Sequence, residues 1–259
     1  MFRREGLARS DRLNRRVAGC LALIGGYVNA TGVVLLGVFS SHMTGNVSRA
    51  ATDLASGNLT AALAAMGVVL GFFFGALLAS VVLESGFCGT TSRSYGAALA
   101  LEASWLVVFA VLHGGAVSGR FALPHAFALC VAMGVQNSLV TRLSGAVVRT
   151  THLTGVITDL GIEAARWFRW WRDAASRRTG IRLGFGRNPV SRPAFAKVAL
   201  LGTIAVAFAV GAVGGGLAAL AIPRAAMLIP IVAVGACAVY AFVSGIAETE
   251  GASAPDSRV

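Results

Sequence analysis

Residues 59–84 read LTAALAAMGVVLGFFFGALLASVVLE, and the first charge in the run is its last residue, Glu84. No β-strand is that long, and an amphipathic helix would interrupt the run with polar residues on every turn. An α-helix crossing a hydrocarbon core needs roughly 20 such residues, so the stretch predicts a transmembrane helix. Five further blocks have the same character: Val17–Phe39, Tyr95–Leu112, Phe121–Val140, Ala199–Leu220 and Ala226–Ile246. Pro223 and Arg224 mark a tight turn between the last two. The fold class that follows is all-α, a polytopic membrane protein of six transmembrane helices.

Composition agrees. Hydrophobic residues make up 56% of the 259 residues and charged residues only 13%, about half the share that covers an ordinary soluble domain; mean hydropathy is +0.74. The net charge of +11 would suit nucleic acid if it formed a groove interleaved with aromatics. Instead the cations flank spans. Arg3, Arg4, Arg9, Arg12, Arg15 and Arg16 precede the first block, and eight Arg plus Lys197 lie in 166–197. If the N-terminus is cytoplasmic, segments 1–16, 84–94, 141–198 and 247–259 face inward and hold 19 of the 22 Lys and Arg, leaving Arg49, Arg120 and Arg224 outside. That bias orients the chain with both termini in the cytoplasm of the plasma membrane, and no nucleic acid partner is expected. The organisation is then a basic segment 1–16, a six-helix domain 17–247 with a basic loop 164–197, and a tail 248–259. Arg15-Arg16 before an apolar run has the look of an export signal, but Val17–Phe39 exceeds a signal core and reads as a retained span. Cys20, Cys88, Cys130 and Cys237 are widely spaced and form no CxxC pair, so neither a disulfide framework nor a thiolate metal site is indicated.

The segments that follow the first and fourth spans are alike. One reads His42-Met43-Thr44-Gly45-Asn46-Val47, then Thr52-Asp53-Leu54; the other reads His152-Leu153-Thr154-Gly155-Val156-Ile157, then Thr158-Asp159-Leu160. The second is shorter by four residues between its two parts, about one helical turn. Asn29 in the first span matches Asn137 in the fourth after a two-residue shift. Two copies of a three-helix unit, about 17–113 and 121–247, account for this. An odd number of crossings per copy would invert one against the other, giving a 3+3 inverted repeat. Transporters of that design bind solute near the midplane on the exposed backbone of broken helices. Thr-Gly suits such a break, since glycine tolerates it and the following amides can point at an anion. Against this, short His-x-Thr-Gly matches also arise by chance, and polar residues after a span are ordinary loop residues.

Other polar residues are read singly. Glu102 falls inside the third span, where an unpaired carboxylate costs at least about 2.5 kcal/mol; it is either a coupling group or a residue near a misplaced boundary. The Arg- and Trp-rich stretch 166–172 suits the headgroup layer and is expected along the cytoplasmic surface. Gly71/Gly75 and Gly211/Gly215 have the spacing that lets helices approach closely. His113 and His125 sit beside a short outer loop and read as interfacial. His42 and His152 could relay protons, but two imidazoles without a third ligand do not make a metal site, and no cofactor is implied. No nucleophile–base pair, phosphate loop or HExxH motif is present, so an enzyme is not expected.

The first span with Gly26-x-x-Asn29, the segment Ser40-x-His42-Met43-Thr44-Gly45-Asn46, and the later Gly134-Val135-Gln136-Asn137 with Arg149-Thr150-Thr151-His152-Leu153-Thr154-Gly155 resemble the YoaK-like family of bacterial inner-membrane proteins. The likeness covers nearly all of 17–247. It implies a compact six-span protein of the plasma membrane and, the family being a domain of unknown function, supplies no activity. Family members often carry an acid in the first span where this chain has Asn29, and the insert near 166–192 is longer than usual. The expectation is a secondary transporter or permease for a small solute. Its substrate-binding residues would be Asn29, His42, Thr44, Gly45, Asn46, Gln136, Asn137, His152, Thr154 and Gly155. Asp53, Glu102 and Asp159 are the coupling candidates. The alternative is a non-transporting scaffold or subunit of a membrane complex engaged through 164–197. Beyond lipid and solute, the sequence leaves assembly into a homo-oligomer open.

Overall fold

The computed structural model describes residues 11–86, 88–114, 122–143, 151, 153–179 and 191–253. Among these there are eight helices and no strand: α1 (Asp11–Leu36), α2 (Met43–Ala55), α3 (Leu59–Glu84), α4 (Thr91–Gly114), α5 (Ala122–Leu143), α6 (Leu153–Thr179), α7 (Phe195–Ala221) and α8 (Leu228–Ser253). Six of them, all but α2 and α6, are long and apolar enough to cross a membrane. The spans therefore fall where the apolar blocks predict, with shifted ends. α1 begins at Asp11, inside the basic segment, and stops at Leu36 rather than Phe39. The stop has a local cause: Gly37 adopts φ +67 and its amide still bonds to Val33 O at 2.9 Å, a glycine in the left-handed conformation that ends a helix. At the other end of the loop Asn58 caps α3 by accepting the Ala61 amide at 3.2 Å, as its short polar side chain favours.

α1 and α5 are the most enclosed spans. Each lies against one partner span at glycines whose added Cβ would overlap backbone. On α1 and α7, a Cβ at Gly26 would run into Phe208 O, and one at Gly211 into Leu23 O. On α5 and α3, a Cβ at Gly134 would run into Phe72 O, and one at Gly75 into Val131 O. The register is the same in both pairs, with α1 positions matching α5 positions 108 residues on, and α3 matching α7 136 residues on. Gly71/Gly75 and Gly211/Gly215 are thus sites of close helix approach, as their spacing predicts; Gly26 and Gly134 complete each pair from the facing helix.

The same contacts give helix directions. Gly32 of α1 faces Leu129 of α5 whereas Gly25 faces Met133 and Gln136, so these two run antiparallel. Leu23 and Tyr27 meet Gly211 and Gly215 in rising order, so α1 and α7 run parallel. Directions that alternate along six spans require both results. Side chains add cross-ties: Tyr27 donates to Ala226 O at 2.8 Å, Thr31 to Gly215 O at 3.1 Å, and the Arg142 guanidinium meets Glu84 at 2.6 Å. The outer faces of α3 and α7 expose Leu63, Leu70, Phe73, Leu77, Val206, Val210, Val213 and Leu217. A continuous apolar surface of that kind needs lipid to cover it.

Candidate functional site

The loop after α1 does not lead away from the bundle. It doubles back along the helix it has just left, so that Val38 O and Ser40 come against Gly32. Ser40 is fully buried there. Asn29 holds the return: its Oδ1 accepts the Ser41 amide at 3.2 Å, the Ser41 hydroxyl at 3.1 Å and, more weakly, the Ser40 hydroxyl at 3.4 Å. Asn46, buried in the first turn of α2, donates from Nδ2 to Phe39 O at 2.9 Å. The His42 ring meets Phe39 edge-on at 5.8 Å and folds over Gly45, where any Cβ would strike the imidazole. This explains locally why glycine follows three residues after histidine. Thr44 is exposed on the outer side of the same turn.

Thr151, by itself, meets α5. Asn137 accepts a hydrogen bond at Oδ1 from the Thr151 hydroxyl and donates from Nδ2 to Met133 O at 2.8 Å. The Thr151 methyl lies 3.1 Å from where a Cβ of Gly25 would stand, as does Gln136 Oε1. Gln136 is fully buried and donates to Leu21 O of α1 at 3.3 Å, while its Oε1 has no hydrogen-bond partner among the described residues. α6 then begins at Leu153, with Thr154 exposed and Gly155 half-buried. His152 lies outside the described residues.

The candidate residues accordingly fall into two groups. Asn29, His42, Thr44, Gly45 and Asn46 gather where the first return segment reaches Gly32. Gln136 and Asn137 gather with Thr151 beside Gly25, and Thr154 and Gly155 follow in the first turn of α6. Gly25 and Gly32 are seven residues apart, roughly 10 Å along the helix axis. In both groups an asparagine in an inner span binds the hydroxyl residue that immediately precedes the histidine, Ser41 in one and Thr151 in the other. Neither hydroxyl figured in the expected site; its signal in the sequence was its place one residue before each His-x-Thr-Gly.

Glu102 stands near the middle of α4 and is 1% exposed, which removes the alternative that it sits at a misplaced boundary. Neither carboxyl oxygen has a hydrogen-bond partner among the described residues. It lies within electrostatic reach of Cys20 on α1 and Cys237 on α8, so it faces the bundle, as intramembrane acids do. The other two acids differ. Asp53 is on α2 with Arg49 3.8 Å away at the surface, and Asp159 is half-buried on α6. His125, in the first turn of α5, is 5% exposed and packs by Phe109 and His113. Outside the spans, Glu163 of α6 is buried, bonded by Lys197 at 3.0 Å and Arg166 at 2.8 Å. The Lys197 hydrogen bond and the two cations hold its carboxyl below the ordinary value despite burial.

Residues 17–240 match the family described as "protein of unknown function (DUF1275)", and the chain belongs to that family. Over 167 residues it is 28% identical to the UPF0700 transmembrane protein YoaK of Bacillus subtilis (strain 168), a match that spans 62% of this chain and 73% of that protein. No solved structure matches. The relative's name, a transmembrane protein, agrees with the fold, which among the described residues is all-helical with six helices long and apolar enough to cross a membrane.

Proposed function

We propose, taking membership of the DUF1275 family as the premise, that this chain is a secondary transporter or permease for a small solute in a bacterial plasma membrane. Both termini are cytoplasmic in this proposal, and the two halves are inverted copies of one three-span unit. The observation that carries it is a paired asparagine–hydroxyl contact. Each inner span binds, through one asparagine, the hydroxyl of Ser41 or Thr151, and a helix opens two residues after that hydroxyl. Irregular backbone at membrane depth is tolerated where it is enclosed by protein or lines a cavity. In transporters such segments lie at matching places of the two repeats. The shared register of Gly26/Phe208 with Gly134/Phe72, and the antiparallel run of α1 against α5, support the inverted duplication.

The chemistry on offer is neutral and polar, with one acid. Asn29, Asn46, Gln136 and Asn137 present amides, and Gln136 Oε1 is a buried acceptor without a donor among the described residues. An unmet acceptor of this kind costs about 1–3 kcal/mol, and a solute donor would relieve it. Glu102 supplies a carboxyl buried within the bundle and is the coupling group of choice over Asp53, which has Arg49 beside it.

The test is uptake into vesicles from cells that express the chain, screened over labelled amino acids, organic acids, sugars and inorganic ions. At least one solute should accumulate with the wild-type chain and not with Asn46→Ala or Asn137→Ala. Glu102→Gln should sever that accumulation from an imposed pH gradient. Accumulation that ignores both asparagine variants would end the transport proposal. The scaffold alternative would then lead, and neutralising the arginines of 164–197 should disrupt whatever complex it holds.

A further inference from the structure

α6 opposes two kinds of surface. Ile157, Phe168 and Trp171 are exposed along one side, spaced so that a helix brings them onto one stripe. On the other side a cavity of about 440 Å³ opens between α6 and the start of α7, lined among others by Glu163, Arg166, Arg169, Arg192 and Lys197. Four cations surround one carboxylate. Arg166 and Lys197 are both bound to the same oxygen, Oε1, of buried Glu163. Arg169 and Arg192 have no carboxylate partner among the described residues. Arg192 is held in place by aromatic faces: its guanidinium carbon lies 5.7 Å from the Trp167 ring centre and 5.6 Å from that of Trp170, and those rings meet edge to face at 5.5 Å.

The cavity is therefore built, and what it lacks is negative charge. Guanidinium forks fit the oxygens of a phosphate better than a lone ammonium does. The volume is that of a small-ligand site. Its depth in the membrane selects among phosphates. An apolar stripe of Ile, Phe and Trp on a surface helix lies at the boundary between acyl chains and headgroups, and Trp rings favour that layer. Phe195, 66% exposed, opens α7 directly beside the cavity. A phosphate there would have its glycerol and acyl chains running down onto the lipid-facing side of α7. Basic pockets beside transmembrane helices are known to hold anionic lipid headgroups.

We infer that the cavity between α6 and the start of α7 binds the phosphate of an anionic phospholipid, gripped by Arg169 and Arg192 with Glu163 fixing Arg166 and Lys197 behind them. Glu163 organises the site without touching the lipid: one buried carboxylate keeps two like charges from repelling each other apart. The occupied site would fasten α6 to the bundle, making its place on the membrane surface dependent on lipid composition.

The test is native mass spectrometry of the full chain in a neutral detergent, titrated with phosphatidylglycerol or phosphatidylcholine. Phosphatidylglycerol adducts should dominate, and Arg169→Ala with Arg192→Ala should weaken them at least about tenfold, the loss expected from a single charge-assisted bond. The pair Arg169→Lys with Arg192→Lys should retain part of the binding. It also serves as the second handle should the alanine pair fold poorly, which a lipid-free melting temperature well below wild type would reveal. Equal binding of the two lipids, or undiminished phosphatidylglycerol binding in both variant pairs, would overturn the inference. So would complete displacement of the lipid by millimolar inorganic phosphate, since the cavity would then be a site for the free anion.

Discussion

Gly215 and Gly216 are neighbours on α7 and give opposite predictions. A Cβ on Gly215 would overlap the carbonyl oxygen, carbonyl carbon and Cα of Tyr27, all backbone, while one on Gly216 would meet nothing within 4 Å. Backbone cannot rotate aside, so Gly215→Ala must push α1 and α7 apart. The separation also stretches Thr31–Gly215 and Tyr27–Ala226, hydrogen bonds of 3.1 Å and 2.8 Å. Forcing a methyl group into a filled helix contact costs about 1–3 kcal/mol. Replacing glycine by alanine inside a helix returns up to about 1 kcal/mol, but it does so at both positions. That term cancels in the comparison. The expected result is a Gly216→Ala chain at or slightly above wild-type stability, and a Gly215→Ala chain about 1–3 kcal/mol below the Gly216→Ala chain, roughly 5- to 150-fold in the unfolding equilibrium. Denaturant unfolding in mixed micelles, followed by Trp fluorescence, measures both on one scale. Equal stability of the two variants would refute the glycine-mediated packing of α1 on α7, and with it the register shared with α3 and α5.

Two further predictions use different readouts. In a chain freed of native cysteines, Ser56→Cys should react with an impermeant maleimide on intact cells and Ser176→Cys should not, since the proposed inversion puts α2 outside and α6 inside; reaction of both, or of Ser176→Cys alone, would break the six-span inverted arrangement. Glu163 supplies a pH signature. Its carboxyl is held below the ordinary glutamate value of about 4.3 by Lys197 and Arg166, so its contribution is present above that value and is lost as pH falls through the depressed folded value. The wild-type melting temperature should exceed that of Glu163→Gln by a constant margin from neutral pH to about pH 5, and the margin should close only in strong acid. A margin that closes between pH 8 and 6 would show that some other group titrates.

Hydrophobic blocks reveal spans because lipid imposes one rule on every residue of a helix. The stretch 59–83 could be read without knowing anything it touches. Gly71/Gly75 and Gly211/Gly215 were legible for a related reason, since their spacing places both glycines on one helix face. Gly26 and Gly134 carry equal weight in the packing but have no such signature: their role depends on which carbonyl lies opposite, and that is a property of the assembled bundle. Buried Glu163 depends in the same way on Lys197, 34 residues along the chain. The paired His-x-Thr-Gly segments could be seen in the sequence. That each is preceded by a hydroxyl tied to an inner asparagine required seeing the chain turn back, because nothing in Gly37–Ser41 encodes direction.

The two halves resemble one another most closely at the asparagine–hydroxyl contacts of the inner spans, and the likeness fades outward. α2 is 13 residues long and packs beside α3; α6 is 27 residues long and carries the Arg and Trp residues past the end of any equivalent of α2. This is the pattern expected if the duplicated element works in pairs and its surroundings do not. A solute that passes between inverted halves must meet matching groups from each side, which holds Asn29 with Ser41 and Asn137 with Thr151 to one geometry. The membrane surfaces impose no such match. In the proposed orientation the outer leaflet meets Arg49 alone on α2, while the inner one meets Arg166, Arg169, Arg172 and Arg192. Under the transport proposal, the extra turns of α6 belong to the asymmetry of the bilayer, and the shared asparagine–hydroxyl pairs to the symmetry of the proposed path across it. On this argument a variant that exchanges Ser41 and Thr151 should leave uptake intact, and one that removes either hydroxyl should not.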